Sequence, residues 1–252
     1  MSFDICILLA VLLVVLVHLG ILVAKRRLLI DSKARCLIVV AHPDDECMFF
    51  GPTILSLLAQ KCKVYILCVS TGDFYGQGNV RKQEMFEACS SLGISSSDVT
   101  IMDIGDMKDG MKTKWETEKL ARIVLQCIER LDAQVVITFD EHGVSQHPNH
   151  ISCFMALQYL YTNGWIPSGT QVFVLESVRL LRKYISILDL LPSHFTSTFL
   201  CLSRPSMVWR GMRAHKSQLV WFRYLYLIFS RYVVINTLKR ISLHRYCVRK
   251  RS

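Results

Sequence analysis

Five short apolar runs, at 36–41, 63–69, 99–104, 134–139 and 171–177, alternate with stretches of helical periodicity near 45–60, 81–92, 117–131 and 148–161. This alternation constrains the fold more than any other feature of the chain. Runs of that length, rich in Val and Ile, read as buried strands, because branched side chains pack well on a pleated surface covered from both sides. Strands alternating with helices predict an α/β fold, with a Rossmann-like, mostly parallel sheet and helices on both faces. No internal repeat or low-complexity linker interrupts the pattern. In a doubly wound sheet of order 3-2-1-4-5, the first and fourth strands are neighbours flanking the switch point, where a crevice opens at the strand tips.

Both of those strands run into chemically loaded segments. The first is followed by Ala41, His42, Pro43, Asp44, Asp45 and Glu46. One imidazole and three carboxylates at a strand tip are hard to explain as packing, although Asp44 as a helix cap and Glu46 on a helix dipole is the rival reading. The fourth is followed by Asp140, Glu141, His142 and Gly143, and then by His147, Pro148, Asn149 and His150. A proline at the first helical position places both His147 and His150 at a helix N-terminal end. His42, Asp45 and His150 together supply the nitrogen and oxygen donors that zinc takes in open catalytic sites. Two histidines and a carboxylate also suit iron(II). A dinucleotide site is disfavoured, since the first turn lacks a glycine fingerprint and Gly72, Gly76 and Gly78 are wrongly spaced after the second strand.

An AHPDDE box after the first strand and an HPxH box after a later one resemble those of the LmbE-like (PIG-L) de-N-acetylase family. The resemblance continues through the N-terminal apolar run, through Arg182, Lys183, Tyr184, Ile185 and Ser186, and through the segment from Ser217 to Arg223, so essentially the whole chain is covered. It is strongest toward the eukaryotic branch acting on N-acetylglucosaminyl-phosphatidylinositol. What the resemblance implies is zinc-dependent removal of the N-acetyl group from that lipid, in GPI-anchor biosynthesis on the cytosolic face of the endoplasmic reticulum. The alternatives are a deacetylase of another N-acetylglucosamine conjugate and a catalytically silent membrane scaffold of the same fold. His42, Asp45 and His150 match the family's metal ligands. Asp44 takes the role of general base, and His147 stabilises the oxyanion or protonates the departing amine, with Asp140 as its expected partner. A supporting role that only orients a ligand is the rival for His147. Glu46 is expected to be a supporting or structural residue. Arg81, near Asp73 in the glycine-rich loop, is expected to bind substrate, with pairing to Glu84 on its own helix face as the rival.

Residues 5–24 carry no charge apart from the titratable His18, and at about 1.5 Å per residue they would span roughly 30 Å, enough to cross a bilayer core. No basic stretch precedes the run, so an uncleaved anchor within 1–28 is expected rather than a signal peptide, followed by one deacetylase domain at 29–252. Lys25, Arg26 and Arg27 follow at once, which predicts a single pass with a short lumenal N-terminus and a cytosolic domain. The ten cysteines are scattered without a Cys-x-x-Cys pair, and buried reduced thiols are the expectation. The net charge of +10 comes from the last quarter, because no acidic residue follows Asp189 while twelve Lys and Arg lie between Arg204 and Arg251. With interleaved aromatics and an anchor, that excess points to anionic lipid rather than nucleic acid, a solvated tail being the rival for the last dozen residues. Protein partners are not legible. The stretch 218–238 is apolar yet contains Arg223 and Arg231, so it is expected to lie flat in a headgroup layer, with Trp221, Phe222, Tyr224, Tyr226, Phe229 and Tyr232 at the boundary and a basic cluster from Lys239 to Arg251 facing lipid. A core helix is the alternative.

Overall fold

The run at 36–41 folds as β1 (Arg35–Val40), whose residues 36–40 are all buried although their side chains alternate between the two sheet faces. Burial on both faces is what makes a central parallel strand a continuous apolar run. The computed structural model describes residues 30–241. The expected anchor and its flanking Lys25, Arg26 and Arg27 lie outside the described residues, as do Arg245, Arg249, Lys250 and Arg251. Among the described residues no helix is long and apolar enough to cross a membrane.

β2 (Lys63–Cys68) and β4 (Val135–Phe139) pair in parallel with β1 on either side; β3 (Val99–Ile101) extends the sheet beyond β2, and β5 (Gln171–Leu175) extends it beyond β4. The expected order 3-2-1-4-5 is therefore present within a 7-stranded sheet of order β3-β2-β1-β4-β5-β7-β6. Every residue of β4 is buried. The described cysteines are buried, and Cys36, Cys47, Cys62, Cys68, Cys89, Cys127 and Cys153 are free thiols.

The helical pattern near 45–60 is two helices, α1 (Asp45–Met48) and α2 (Gly51–Ala59). Pro52 breaks it, because proline has no N–H to donate and fits only the first turn of a helix, where it sits in α2. α3 (Gly78–Leu92) follows the glycine-rich loop. α4 (Thr117–Leu131) buries Leu120, Ala121, Val124, Cys127 and Ile128, one face at helical spacing, and packs against α5 (Pro148–Thr162).

After β5 the structure departs from expectation. β6 (Phe199–Leu202), α6 (Pro205–Met212), α7 (Trp221–Phe229) and β7 (Ile235–Arg240) complete the domain, with β7 inserted antiparallel between β5 and β6. The stretch 218–238 is thus not one helix. Its first part is α7, which turns Tyr226 and Leu227 inward while Trp221, Phe222 and Phe229 stay exposed. Its second part is a short turn at 231–234 followed by the core strand β7, in which Ile235, Asn236, Thr237 and Leu238 are buried and the branched Ile235 and Thr237 suit a sheet. Tyr232, expected at a headgroup boundary, and Arg231, expected to keep the stretch from spanning a bilayer, are fully buried, and Arg231 Nη1 lies 2.7 Å from Asp189 Oδ2.

Candidate active site

The tip of β1 is a turn built around Asp45. The backbone N–H groups of Ala41 and His42 both donate to Asp45 Oδ2, at 2.9 and 2.8 Å, which folds the carboxylate back over the end of the strand. Asp44 is forced to φ +113°, a conformation that favours glycine and costs a non-glycine residue about 1–3 kcal/mol. Its N–H is held by Glu46 Oε2 at 3.1 Å, and Arg81 Nη2 donates to Pro43 O at 2.6 Å. The strained residue is therefore locked from both sides, and its carboxylate lines a cavity of about 290 Å³ at the β1/β4 switch point.

His150 enters the same cavity from the first turn of α5, as Pro148 at the start of that helix predicts. Its Nδ1 lies 3.0 Å from Gly143 O, so Nδ1 donates to the carbonyl and the Nε2 lone pair is left facing Asp45 Oδ1 at 3.2 Å. Gly143 allows this approach: it has φ +54°, and a Cβ there would lie 2.8 Å from that of His150. His42 is arranged in the complementary sense. Its Nε2 lies 3.0 Å from both Asp109 Oδ1 and Asn149 Oδ1, while Nδ1 is turned to Asp45 Oδ2 at 3.8 Å. Each histidine thus gives its outer nitrogen to a fixed acceptor, and the neutral tautomer this selects presents an unprotonated inner nitrogen beside one carboxylate; burial would lower the His42 pKa, but Asp109 and Asp45 outweigh it and raise it, so an ion would displace a proton there. That neutral tautomer is the donor state a metal needs, and ligand atoms bonded at about 2.0–2.1 Å in a tetrahedron stand roughly 3.3 Å apart, a spacing that His150–Asp45 at 3.2 Å meets and His42–Asp45 at 3.8 Å exceeds by about half an ångström. The set fits a divalent ion. Burial would push the Asp45 carboxyl up, but positive charge at His150 and His42 outweighs it and holds it well below the usual carboxylate range, a charge the imidazoles carry when protonated and an ion would supply when they are neutral ligands.

His147 is also close, and its ligand-type atoms lie within 4.8 Å of those of His42 and His150. Its protonation argues against ligation. Nδ1 accepts the Asn149 N–H at 3.2 Å, so the proton of the neutral ring sits on Nε2, the nitrogen 4.0 Å from Asp109 Oδ1. Burial, then the charges of His42 and His150, push this imidazole down to about 4, so at neutral pH it is a neutral N–H donor. Asp44 is shifted in the opposite sense for an acid. Burial raises its carboxyl above the ordinary value, against the pull of Arg223 and Arg81.

Arg81 lines the cavity, and the expected alternative partner, Glu84, is engaged elsewhere, accepting from Ser217 N and Oγ at 2.7 and 2.6 Å. Arg81 Nη1 donates to Gly72 O at 2.8 Å, a contact that leaves no room for a Cβ on Gly72, so two of its nitrogens brace the turn. Asp140 is not the partner of His147. It accepts from Ser177 N and Oγ at 2.7 and 2.5 Å and from His142 N at 3.1 Å, because the chain turns away at Gly143 before reaching His147. Asp109 is the carboxylate that faces both His42 and His147. Glu46 is structural: its Oε1 lies 2.5 Å from His215 Nε2, with both side chains fully buried. The nearby Cys47 adds no thiolate, since burial and then Glu46 push its thiol well up.

Sequence reasoning left Asp109 and Asn149 unassigned and read Arg223 as a residue awkward for lipid. Arg223, from α7, lies 3.2 Å from Asp44 through Nη2 and lines the cavity with Gln218. The resemblance through the segment ending at Arg223 was the signal available for it.

Residues 37–160 match the family model described as PIG-L: GlcNAc-PI de-N-acetylase. The chain is 43% identical over 209 residues to the N-acetylglucosaminyl-phosphatidylinositol de-N-acetylase of Bos taurus, an alignment covering 81% of this chain and 83% of the bovine protein. A probable N-acetylglucosaminyl-phosphatidylinositol de-N-acetylase of Schizosaccharomyces pombe is 41% identical over 221 residues, with 82% of this chain and 86% of the yeast protein covered. Among solved structures, the N,N'-diacetylchitobiose deacetylase of Pyrococcus horikoshii superposes with a TM-score of 0.60 at 16% identity, covering 86% of this chain and 88% of that one. At that identity the likeness is one of fold.

Proposed function

The chain belongs to the PIG-L family of GlcNAc-PI de-N-acetylases, and from that premise we propose that it hydrolyses the acetamide of N-acetylglucosaminyl-phosphatidylinositol in GPI-anchor biosynthesis. The products are acetate and glucosaminyl-phosphatidylinositol. One observation carries the metal-dependent reading: the outer nitrogens of His42 and His150 are engaged by fixed acceptors, and their inner nitrogens converge on Asp45. A scaffold without activity would have no need of that arrangement. His42, Asp45 and His150 would hold the ion, and the chemistry it would supply there is that of a Lewis acid toward the acetyl carbonyl and the attacking water. Zinc is the proposed ion, and the same donors suit iron(II).

The remaining steps belong to side chains. Asp44 takes a proton from the attacking water, a task that its raised pKa suits, since an ordinary carboxylate is a weak base at neutral pH. Its strained backbone and the Arg81 and Arg223 guanidiniums hold the carboxylate in place. His147 Nε2–H donates a hydrogen bond to the oxygen on which negative charge develops, and the proton that Asp44 took from the water passes to the departing amine as the C–N bond breaks. Asp109 and Asn149 keep His42 in the ligating tautomer.

The proposal includes location. Residues 5–24 as an anchor, with Lys25, Arg26 and Arg27 behind them, support a domain on the cytosolic face of the endoplasmic reticulum. A glycosylation acceptor added near Met1 is expected to be modified in microsomes and one after Ser252 is not; the reverse pattern refutes this orientation. The activity itself is tested on purified chain stripped by chelator and reloaded with zinc or iron(II). Acetate release is expected only from the reloaded protein, and faster from the inositol-linked sugar than from other N-acetylglucosamine conjugates. Equal rates on all conjugates would refute the substrate, and full activity of the stripped protein would refute the metal mechanism.

A further inference from the structure

A second cavity, of about 480 Å³ and largely apolar, lies beside the catalytic cleft and is lined by Met48, Tyr184, Phe222, Leu225, Tyr226 and Phe229. Phe49, Ser145 and Arg223 line both cavities, so the groove and the cleft are continuous. The groove is formed by two segments far apart in sequence, brought together where the Tyr184 and Tyr226 rings meet edge to face at 6.4 Å. Those same segments expose large apolar side chains to the outside, with Leu181 83% and Trp221 74% accessible. Clustered exposure of this size is uncommon on a surface that meets only water.

The junction between groove and cleft is cationic. Lys183 lines the groove beside Arg223, and burial followed by the Arg223 charge lowers its ammonium pKa, so both influences act against the charge. Arg223 Nη2 is held by Asp44, whereas Arg223 Nε is buried with no hydrogen-bond partner among the described residues. A desolvated lysine and an unsatisfied guanidinium N–H at one point are both relieved by an anion. From the metal donors outward, the order is therefore a polar cleft, two cations and an apolar groove. That is the order of groups in an amino sugar joined through a phosphodiester to acyl chains.

We propose that Lys183 and Arg223 form a subsite for a phosphodiester, and that the groove lined by Phe222, Leu225 and Phe229 takes an acyl chain attached to it. This rests on the deacetylase reading of the neighbouring cleft and specifies how its lipid substrate is held. The exposed ring of apolar residues would then meet the bilayer from which the chain is drawn.

The test uses the full chain in detergent and three soluble substrates: N-acetylglucosaminyl-inositol, its methyl phosphodiester and its dihexanoylglycerol phosphodiester. kcat/KM is expected to rise at each addition. Lys183→Gln should shrink the step gained with phosphate by about tenfold, the usual loss for one charge-assisted hydrogen bond, and Leu225→Asn should shrink the step gained with the acyl chains. A Lys183→Gln protein that loses the same factor on all three substrates would overturn the phosphate subsite. No gain from the acyl chains would overturn the groove assignment and point to another occupant, such as the chain's own terminal residues. Inorganic phosphate competing as well as the phosphodiester would reassign the cations to a free-anion site. A wild type inactive on all three refutes the deacetylase reading instead, and calorimetric binding of dihexanoyl-phosphatidylinositol to wild type and to Lys183→Gln then decides the subsite by itself: weaker binding to the variant supports it and equal binding overturns it.

Discussion

The parallel part of the sheet and the region after β5 are held by different forces. In the first, residues 36–40 and 135–139 are apolar and buried on both faces, and helices such as α4 cover them with one apolar stripe. In the second, charges are buried. Arg231 and Asp189 pair at 2.7 Å with both side chains inaccessible, and Asp189 also accepts from Arg182 Nε at 2.7 Å and from Ser193 Oγ at 2.7 Å. The later region also reaches back into the earlier one through its carboxylates, with His215 paired to Glu46, Arg223 paired to Asp44 and Ser217 donating hydrogen bonds to Glu84. Apolar burial has no direction, so it fixes where the tips of β1 and β4 lie but not the charge state of what they carry. Ion pairs are directional. The later region therefore sets the electrostatics of a turn that the earlier region builds.

The largest effect should come from breaking the buried pair. Arg231→Met leaves Asp189 with one cation fewer in a closed interior, and removal of one partner from such a pair costs about 3–5 kcal/mol. Urea unfolding should show that loss, and a change under about 1 kcal/mol would mean that the later region is held by apolar contact after all. A pH series on His215→Gln sharpens the link between regions. Burial would lower the His215 pKa, but Glu46, Asp44 and Glu84 raise it above its ordinary 6.5. A raised histidine contributes stability that is fully present below about 6.5 and is lost as pH rises through the folded value. Wild-type stability should fall above that point by up to about 1.4 kcal/mol per pH unit, whereas the variant should have a flatter profile. Parallel profiles would remove His215 from the account.

Two smaller effects calibrate the contrast from the other side. Ile38→Val, deleting one methylene in β1, should cost about 0.5–1.5 kcal/mol with no pH dependence. Arg35→Ala should cost about 0–1 kcal/mol, because the side chains of Arg35 and Asp132 are 33% and 86% accessible and water screens the pair. If thermal melts rank Arg35→Ala above Arg231→Met, burial is not what gives the later pairs their weight.

The same contrast explains what the sequence made legible. Strands buried on both faces leave uninterrupted apolar runs, so β1, β2, β4 and β5 and their parallel order could be read. β7 could not, because Asn236, Thr237, Lys239 and Arg240 interrupt it and Arg231 just before it argued for a surface. In the site, His42, Asp44 and Asp45 are consecutive or nearly so, as are His147 and His150, and their spacing survives folding. Asp109, Arg223 and His215 arrive from separate loops and helices, and no local pattern marks a residue whose partner is distant. Asp140 shows the converse: near His147 in sequence, it is turned toward Ser177 by the bend at Gly143.

The central claim is the division between ligands and base: His42, Asp45 and His150 hold the ion, and Asp44 moves the proton. Metal content and acetate release measured side by side on Asp44→Asn and His150→Ala test it most directly. Asp44→Asn should keep its metal and lose about 10²–10⁴ in kcat, as a missing general base does, whereas His150→Ala should lose metal and activity together. Near-normal turnover by Asp44→Asn, or full metal content in His150→Ala, would contradict the assignment.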